Sequence, residues 1–305
     1  MLGGQSRAVP SDLQLERATR TVHGRAWREA LPALVAALAR DWVLRLGAPF
    51  PGLSYNYVAP AELPDGSPVV LKVWSPDDRE FAAEVEALRL YDGDGAVRLL
   101  RVQMDARAML LERAEPGTDL WRLADEGRQI EITASIMRRL WRAPPAGSSL
   151  LRSAEEFERM EAVAPALARD GFPLRRVKAA RAIMRDLEAE GPLLVLHEDL
   201  HQANILASQR EPWLAIDPHG VIGPPALDAM QMILNVIWRE LDPAEWRKIA
   251  ARYVAALAEA LGLEREALRL AGVARCVLEA FWTLEDHGRG WEKDIAAADA
   301  FAAAI

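Results

Sequence analysis

Apolar positions in the first part of the chain recur at helical spacing: Trp27, Leu31, Leu34, Val35, Leu38 and Trp42 fall on one helix face. Ser11 and Asp12 supply an N-cap for this helical lead-in, which occupies residues 1–48. From Trp42 the period shortens. The runs WVLRLG, LSYNYVAPAEL and PVVLKVW, divided by Pro- and Gly-containing turns, predict strands as far as Val73. A helix follows from about Asp78 to Tyr91, with Phe81, Val85 and Leu88 on one face. Asp92-Gly93-Asp94-Gly95 ends it, and AVRLLRVQ and AMLLER bring the number of strands to five.

After Gly117 the pattern is helical, with runs at 119–142, 153–169, 173–190, 226–239, 243–262 and 264–286 and a last piece from about 291. One stretch breaks the series: Leu193 to Gly220, reading LLVLHEDLHQANILASQREPWLAIDPHG. Its two apolar runs, Leu193–Leu196 and Trp213–Ile216, read as short strands that deliver polar side chains at their ends. The chain thus divides into an N-terminal lobe over 1–112, a hinge at 113–118 and a helical lobe over 119–305 carrying the interrupting loop. This is an α+β arrangement of a small five-stranded antiparallel sheet beside a larger helical body.

The candidate chemistry sits at those strand ends. Asp199, Asn204 and Asp217 have the types and order of a phosphoryl-transfer site. Such a site needs a carboxylate to accept the proton of the attacking hydroxyl, an amide oxygen for one Mg²⁺, and a second carboxylate for bridging metal. Upstream, Val69-Val70-Leu71-Lys72 offers a strand lysine for the α and β phosphates. Its carboxylate partner should come from the following helix; Glu84 is the first choice and Glu80 the second, with Glu86 turned to solvent. The turn from Ala48 to Asn56, with Ser54, Tyr55 and Asn56 at its end, can fold over phosphates. Between the lobes, Glu112 and Ala114 can meet adenine through the backbone, with Ala114 as the central contact.

Composition narrows the classes. Of 305 residues 51% are hydrophobic and 27% charged, enough apolar material for a large core and too much for disorder. The net charge of −8 excludes a nucleic-acid footprint, which needs clustered Lys and Arg, and suits a cationic or polar small molecule. A single cysteine, Cys276 in an apolar run, rules out an internal disulfide and reads as core. The first residues lack a signal-peptide pattern and no apolar run is long enough to span a membrane. A cytoplasmic monomer or dimer is expected. A zinc site from His197, His201 and Asp217 has the right ligand types but explains less than the Asp/Asn/Asp set; His197 and His201 are expected to support the loop by hydrogen bonding, and Asp228, after Gly223-Pro224-Pro225-Ala226, to cap a helix.

On HEDLHQAN and AIDPHG the chain resembles the aminoglycoside phosphotransferase superfamily, whose loop reads H-G-D-x-H-x-x-N followed by I-D. The stretches PFPGLSYNYVAPA, VVLKV, EVEALRLYDGDGAVRLL, MLLERAEPGTDL, IMRRLWRAPPAG and WLAIDPHGVIGPPALD are similar to its streptomycin 6-phosphotransferase and hydroxyurea phosphotransferase group, over most of residues 20–235. The resemblance implies a two-lobe protein-kinase-like fold, ATP with Mg²⁺, and phosphoryl transfer to a hydroxyl. It implies Asp199 as base, Asn204 and Asp217 as metal ligands, Lys72 as phosphate anchor and Glu84 as its ion-pair partner. Two positions depart from it: the loop Gly is Glu198 here, and a frequent Lys is His219.

The acceptor is expected near Asp199 in the helical lobe, where Trp238, Glu279, Trp282, Glu285 and Asp286 can hold a cation by charge and stacking. The expected activity is ATP- and Mg²⁺-dependent O-phosphorylation of a small molecule, either a streptomycin-like aminoglycoside or hydroxyurea. Two alternatives stand beside it. One is a kinase of an amino alcohol or sugar; the other is a nucleotide-binding protein without useful turnover, for which Glu198 and the turn with its single Gly are the motive.

Overall fold

A computed structural model describes residues 15, 22–51, 53, 55–76, 80–167 and 171–304. The expected N-cap at Ser11 and Asp12, the phosphate-turn Ser54, the helix start at Asp78 and the end of the helical run at 168–169 lie outside the described residues. The lead-in helix is α1 (Val22–Asp41), whose Leu31, Val35 and Leu38 are buried as their spacing dictates. The strand expected from Trp42 shortens to β1 (Arg45–Leu46), because the Trp42 N–H still donates to Leu38 O and Val43 reverses the chain at φ 55°.

β2 (Tyr57–Glu62), β3 (Pro68–Val73), α2 (Phe81–Tyr91), β4 (Leu99–Gln103) and β5 (Ala108–Glu112) follow as the pattern predicts. The sheet order is β1-β2-β3-β5-β4, antiparallel throughout. Alternation along β3 and β5 sorts its two faces. Val69, Leu71, Val73, Ala108 and Leu110 pack in one cluster with α1; Val70, Met109 and Leu111 join a second, larger cluster with α2 and the helical lobe. Lys72 shares the parity of Val70, so it reaches the α2 side of the sheet.

The helix expected over 119–142 is replaced at its start. β6 (Pro116–Asp119) pairs with β8 (Ile205–Ser208), and α3 (Glu126–Leu140) begins only after the Asp125 side chain accepts from Arg128 N–H. Gly117 at φ 72° and the extended Asp119 cannot continue a helix. α4 (Ser153–Leu167), α5 (Leu174–Glu190), α8 (Pro243–Leu261), α9 (Arg265–His287) and α10 (Glu292–Ala302) match the expected runs within a few residues. The run at 226–239 divides at Ala229 into α6 (Pro225–Asp228) and α7 (Met230–Arg239). Asp242 caps α8 with Pro243 in its first turn, and Gly262 and Gly288 end α8 and α9 in left-handed conformation. Helix α9 packs against α4, α5, α6, α7, α8 and α10 and is the axis of the large lobe. Cys276 on it is buried, as expected.

Around the interrupting loop the sequence showed two strands and the structure has four: β7 (Leu194–Leu196), β8, β9 (Trp213–Ala215) and β10 (Val221–Gly223). β7 pairs with β10, and β8 lies between β6 and β9. Among the described residues no helix is long and apolar enough to cross a membrane.

Candidate active site

The ends of β7 and β9 are laced together. His219 N–H donates to His197 O at 2.9 Å, Ile216 N–H to Asn204 O at 3.0 Å, and the His197 ring nitrogen Nε2 meets Ile216 O at 2.9 Å. Burial pushes the His197 pKa down to about 3, so the ring is neutral and Nε2 donates. This is the supporting role expected of His197. The next turn presses against α2: a Cβ on Gly220, at φ 71°, would stand 2.7 Å from Ala83 O. Only glycine permits that approach, which brings Asp217 to the helix carrying Glu84.

Lys72 and Glu84 pair as their positions promised, with Nζ 2.8 and 2.7 Å from the two carboxylate oxygens and both side chains buried. Nζ also binds Asp217, whose carboxylate is 52% exposed and whose backbone is left-handed at φ 64°. The ammonium lies 4.4 Å from the centroid of the Trp74 ring. Burial drives the Lys72 pKa down, but Asp217 and Glu84 together hold it above its ordinary value. For Asp217 burial works upward and the Lys72 charge outweighs it, leaving the carboxyl below the usual range. Glu84 is pushed by burial up to about 7 against the pull of Lys72. Two carboxylates share one cation here, and the cluster is short of positive charge.

Asp199 stands beside it, 24% exposed, with Asn204 Nδ2 donating to its Oδ2 and to its backbone carbonyl, both at 2.9 Å. Two imidazoles flank the carboxylate, His201 Nε2 at 3.7 Å and His219 Nε2 at 3.9 Å. His219 also faces Glu198 and, across from α2, Glu80, each at 3.6 Å. Burial would lower the His219 pKa, but Glu80, Glu198 and Asp199 raise it to about 10. At the position where the resemblance leads one to expect a lysine, these carboxylates favour the charged form of the imidazole.

Glu198 occupies a left-handed position, φ 67°, where a side chain is unusual. Its N–H donates to Asp228 Oδ1 at 2.6 Å, and its carboxylate accepts from Arg275 Nη1 at 2.7 Å. Arg275 Nε donates to Glu279 at 2.9 Å. Burial raises the Glu198 pKa, but the Arg275 charge reverses this and sets it at about 2.

The other candidates divide. Asn56 Oδ1 accepts from Ser75 N–H at 3.0 Å, closing the phosphate turn onto the end of β3, and Tyr55 is exposed on that turn. The Glu112 carboxylate binds Arg210 and the Arg98 N–H, which leaves its backbone as the part on offer; Ala114 is buried against the large core. Glu279 is engaged by Arg275, Trp282 donates to Glu156 at 2.9 Å, and Glu285 pairs with Arg159. Trp238 is half-buried on the core and Asp286 is exposed. Glu279 and Trp282 meet at Arg275, and the Asp199 charge is among the influences that raise the Glu279 pKa, burial being the largest.

Two expectations are overturned. Asp228 caps no helix: it is fully buried, bonded to Glu198 N–H and Trp141 Nε1, with burial raising its pKa to about 6. Glu86 does not face free solvent but accepts from Ser148 Oγ, Ser149 Oγ and Ser149 N–H, tying α2 to the loop before α4. Arg275 was not singled out from sequence. A lone Arg inside the apolar run VARCVLEAF was the signal available.

The donors have the chemistry that Mg²⁺ takes. Asn204 turns its amide nitrogen to Asp199, which leaves its oxygen as a free donor, and Asp217 offers an exposed carboxylate. Hard oxygen ligands supplied by one or two side chains, with phosphates completing the shell, are what Mg²⁺ takes in nucleotide sites. Among the described residues no group of three or more His, Cys, Asp or Glu could hold a metal.

The sequence profile of the family described as aminoglycoside/hydroxyurea antibiotic resistance kinase matches residues 41–287. The chain is 34% identical over 272 residues to the streptomycin 6-kinase of Streptomyces griseus, covering 86% of each chain. It is 33% identical over 267 residues to the hydroxyurea phosphotransferase of Kitasatospora aureofaciens, covering 86% of this chain and 76% of that one. In fold it is similar to choline kinase LicA from Streptococcus pneumoniae, with TM-score 0.64, 14% identity, and coverage of 90% of this chain and 99% of the other.

Proposed function

Since this chain belongs to the aminoglycoside/hydroxyurea antibiotic resistance kinases and is therefore an O-phosphotransferase, we propose that it uses ATP with Mg²⁺ to phosphorylate a streptomycin-like aminoglycoside or hydroxyurea. The observation that carries the reading is the Asp199 carboxylate, open to solvent and oriented by Asn204, beside the Lys72–Glu84–Asp217 cluster.

Asp199 accepts the proton of the attacking hydroxyl, and Asn204 Nδ2 holds its Oδ2 so that the other oxygen is available. Lys72 anchors the α and β phosphates, kept in place by Glu84. Asn204 and Asp217 hold the metal, which when bound neutralises charge on the phosphates. The hinge backbone at Glu112 and Ala114 takes adenine, and the turn at Tyr55 and Asn56 covers the phosphates. Positioning and charge compensation account for most of such a rate enhancement. The reading without turnover rests on Glu198, but its carboxylate is paired with Arg275 and faces His219, so its charge is compensated beside the base, which supports a working enzyme.

The test is ADP release with streptomycin, hydroxyurea, an amino alcohol and a sugar as acceptors. Turnover is expected on one of the first two. Nucleotide binding with no turnover on any of the four contradicts the proposal. Asp199→Asn should lower kcat by at least ~10²-fold, the scale of a general base, with ATP affinity nearly unchanged.

A further inference from the structure

Arg275 is 1% exposed, in the middle of α9 and far in sequence from the loop it touches. A buried guanidinium is costly unless its charge and its N–H groups are matched. Here the match is the carboxylate of Glu198, with Glu279 on the same helix as second acceptor and the Trp282 ring 4.8 Å away. Glu198 in turn is gripped at both ends, its N–H by Asp228 and its carboxylate by Arg275. It immediately precedes Asp199 and holds a backbone conformation natural to glycine.

We propose that Arg275 is a positioning residue for the catalytic loop: by drawing the Glu198 carboxylate into the helical lobe, it lets a charged side chain occupy a left-handed position beside Asp199 without a free negative charge next to the base. Glu198 and Arg275 are then one device, and neither is tolerated well without the other. The arrangement also explains the lone Arg in VARCVLEAF, since an apolar residue there would strand Glu198. The proposal deepens the phosphotransferase reading above and rests on it for its kinetic part.

The experiment is a cycle of four proteins: wild type, Arg275→Met, Glu198→Gly and the double variant. Each is measured for kcat, KM for ATP and melting temperature. Arg275→Met leaves Glu198 with only His219, at 3.6 Å, in place of its buried guanidinium partner, so kcat should fall by roughly 10²-fold, the cost of a misplaced reacting group, with KM for ATP within about threefold. Its melting temperature should fall by about 5 °C or more. Adding Glu198→Gly should restore at least half of each loss, because glycine suits the backbone and removes the orphan charge. Equal losses in Arg275→Met and the double variant would overturn the proposal. Should Arg275→Met fail to fold, a folded double variant supports the pairing and an unfolded one contradicts it. If the wild type itself turns over no acceptor, the functional reading fails, while the melting temperatures still decide whether the two residues are coupled.

Discussion

Among the described residues, two buried cations, Lys72 and Arg275, are each shared by two carboxylates. Lys72 lies between Glu84 and Asp217; Arg275 lies between Glu198 and Glu279. The first triad is open, since Asp217 is half exposed, whereas the carboxylates of the second are 10% and 16% exposed. The choice of cation follows the same division. A lysine is a flexible point charge that can exchange a carboxylate for a phosphate; an arginine fork holds fixed partners. One cluster is built to receive a ligand and the other to hold a loop, and their likeness in composition hides opposite roles.

The strongest way to break this comparison is to remove the open cation. Lys72→Met should lower kcat by ~10²–10³-fold, the usual cost of losing one electrostatic donor at a reacting phosphate. Its melting temperature should change less than that of Arg275→Met, because Glu84, already near 7, takes up a proton when the ammonium is gone. Steady-state kinetics beside thermal melts measure both. A variant with kcat within tenfold of wild type, or one that melts lower than Arg275→Met, would erase the distinction between the triads.

Acid should separate them next. Arg275 holds the Glu198 pKa at about 2, below the ordinary 4.5, so the folded state releases that proton more readily than the unfolded chain. Stability from this group is complete above 4.5 and is lost as pH falls toward 2, in all about 3 kcal/mol. Glu84, raised to about 7, has the opposite sign: acidification from 7 to 4.5 favours the folded state there. Urea titrations from pH 7 to pH 2.5 on wild type and Glu198→Gln should therefore diverge only below about 4.5, with the variant less acid-sensitive. Parallel curves throughout would mean that the closed triad is not an acid-labile unit.

The two triads also differ in how visible they were in the sequence. Lys72 sits on a short apolar strand, Asp199 and Asp217 follow two others and Asn204 immediately precedes β8; the spacing of Asp199 to Asn204 is itself chemical, so local pattern sufficed. Glu84 needed only a helix face. Arg275 and Glu198 are 77 residues apart, and no periodicity connects them; what was legible was the oddity of each, a charge in an apolar run and a side chain where a glycine is expected. The fold shows the same limit. The five-stranded sheet alternates and was readable, while β6, made of Pro116, Gly117, Thr118 and Asp119, has no strand character and exists only because β8 pairs with it. Asp228 was misread for a similar reason: its partners, Trp141 and Glu198 N–H, come from two other segments.

Helix α2 offers the finest test, because it links the open triad to the large lobe. Glu84 faces Lys72 from one side of the helix, and Glu86 binds Ser148 and Ser149 from another. These hydrogen bonds hold the Glu86 pKa below its ordinary value against a burial effect that works upward. If the open triad depends on a fixed α2, releasing this tether should be felt at Lys72 without touching any residue of the site. Glu86→Ala removes charge-assisted bonds at a partly solvated position, so a loss of about 1 kcal/mol is expected. It should emerge as roughly a fivefold rise in KM for ATP, with kcat close to wild type and the Glu198–Arg275 coupling unchanged. A fall in kcat with KM unaltered would place the tether's influence on Asp199 instead, and the open triad would then be no more dependent on α2 than the closed one.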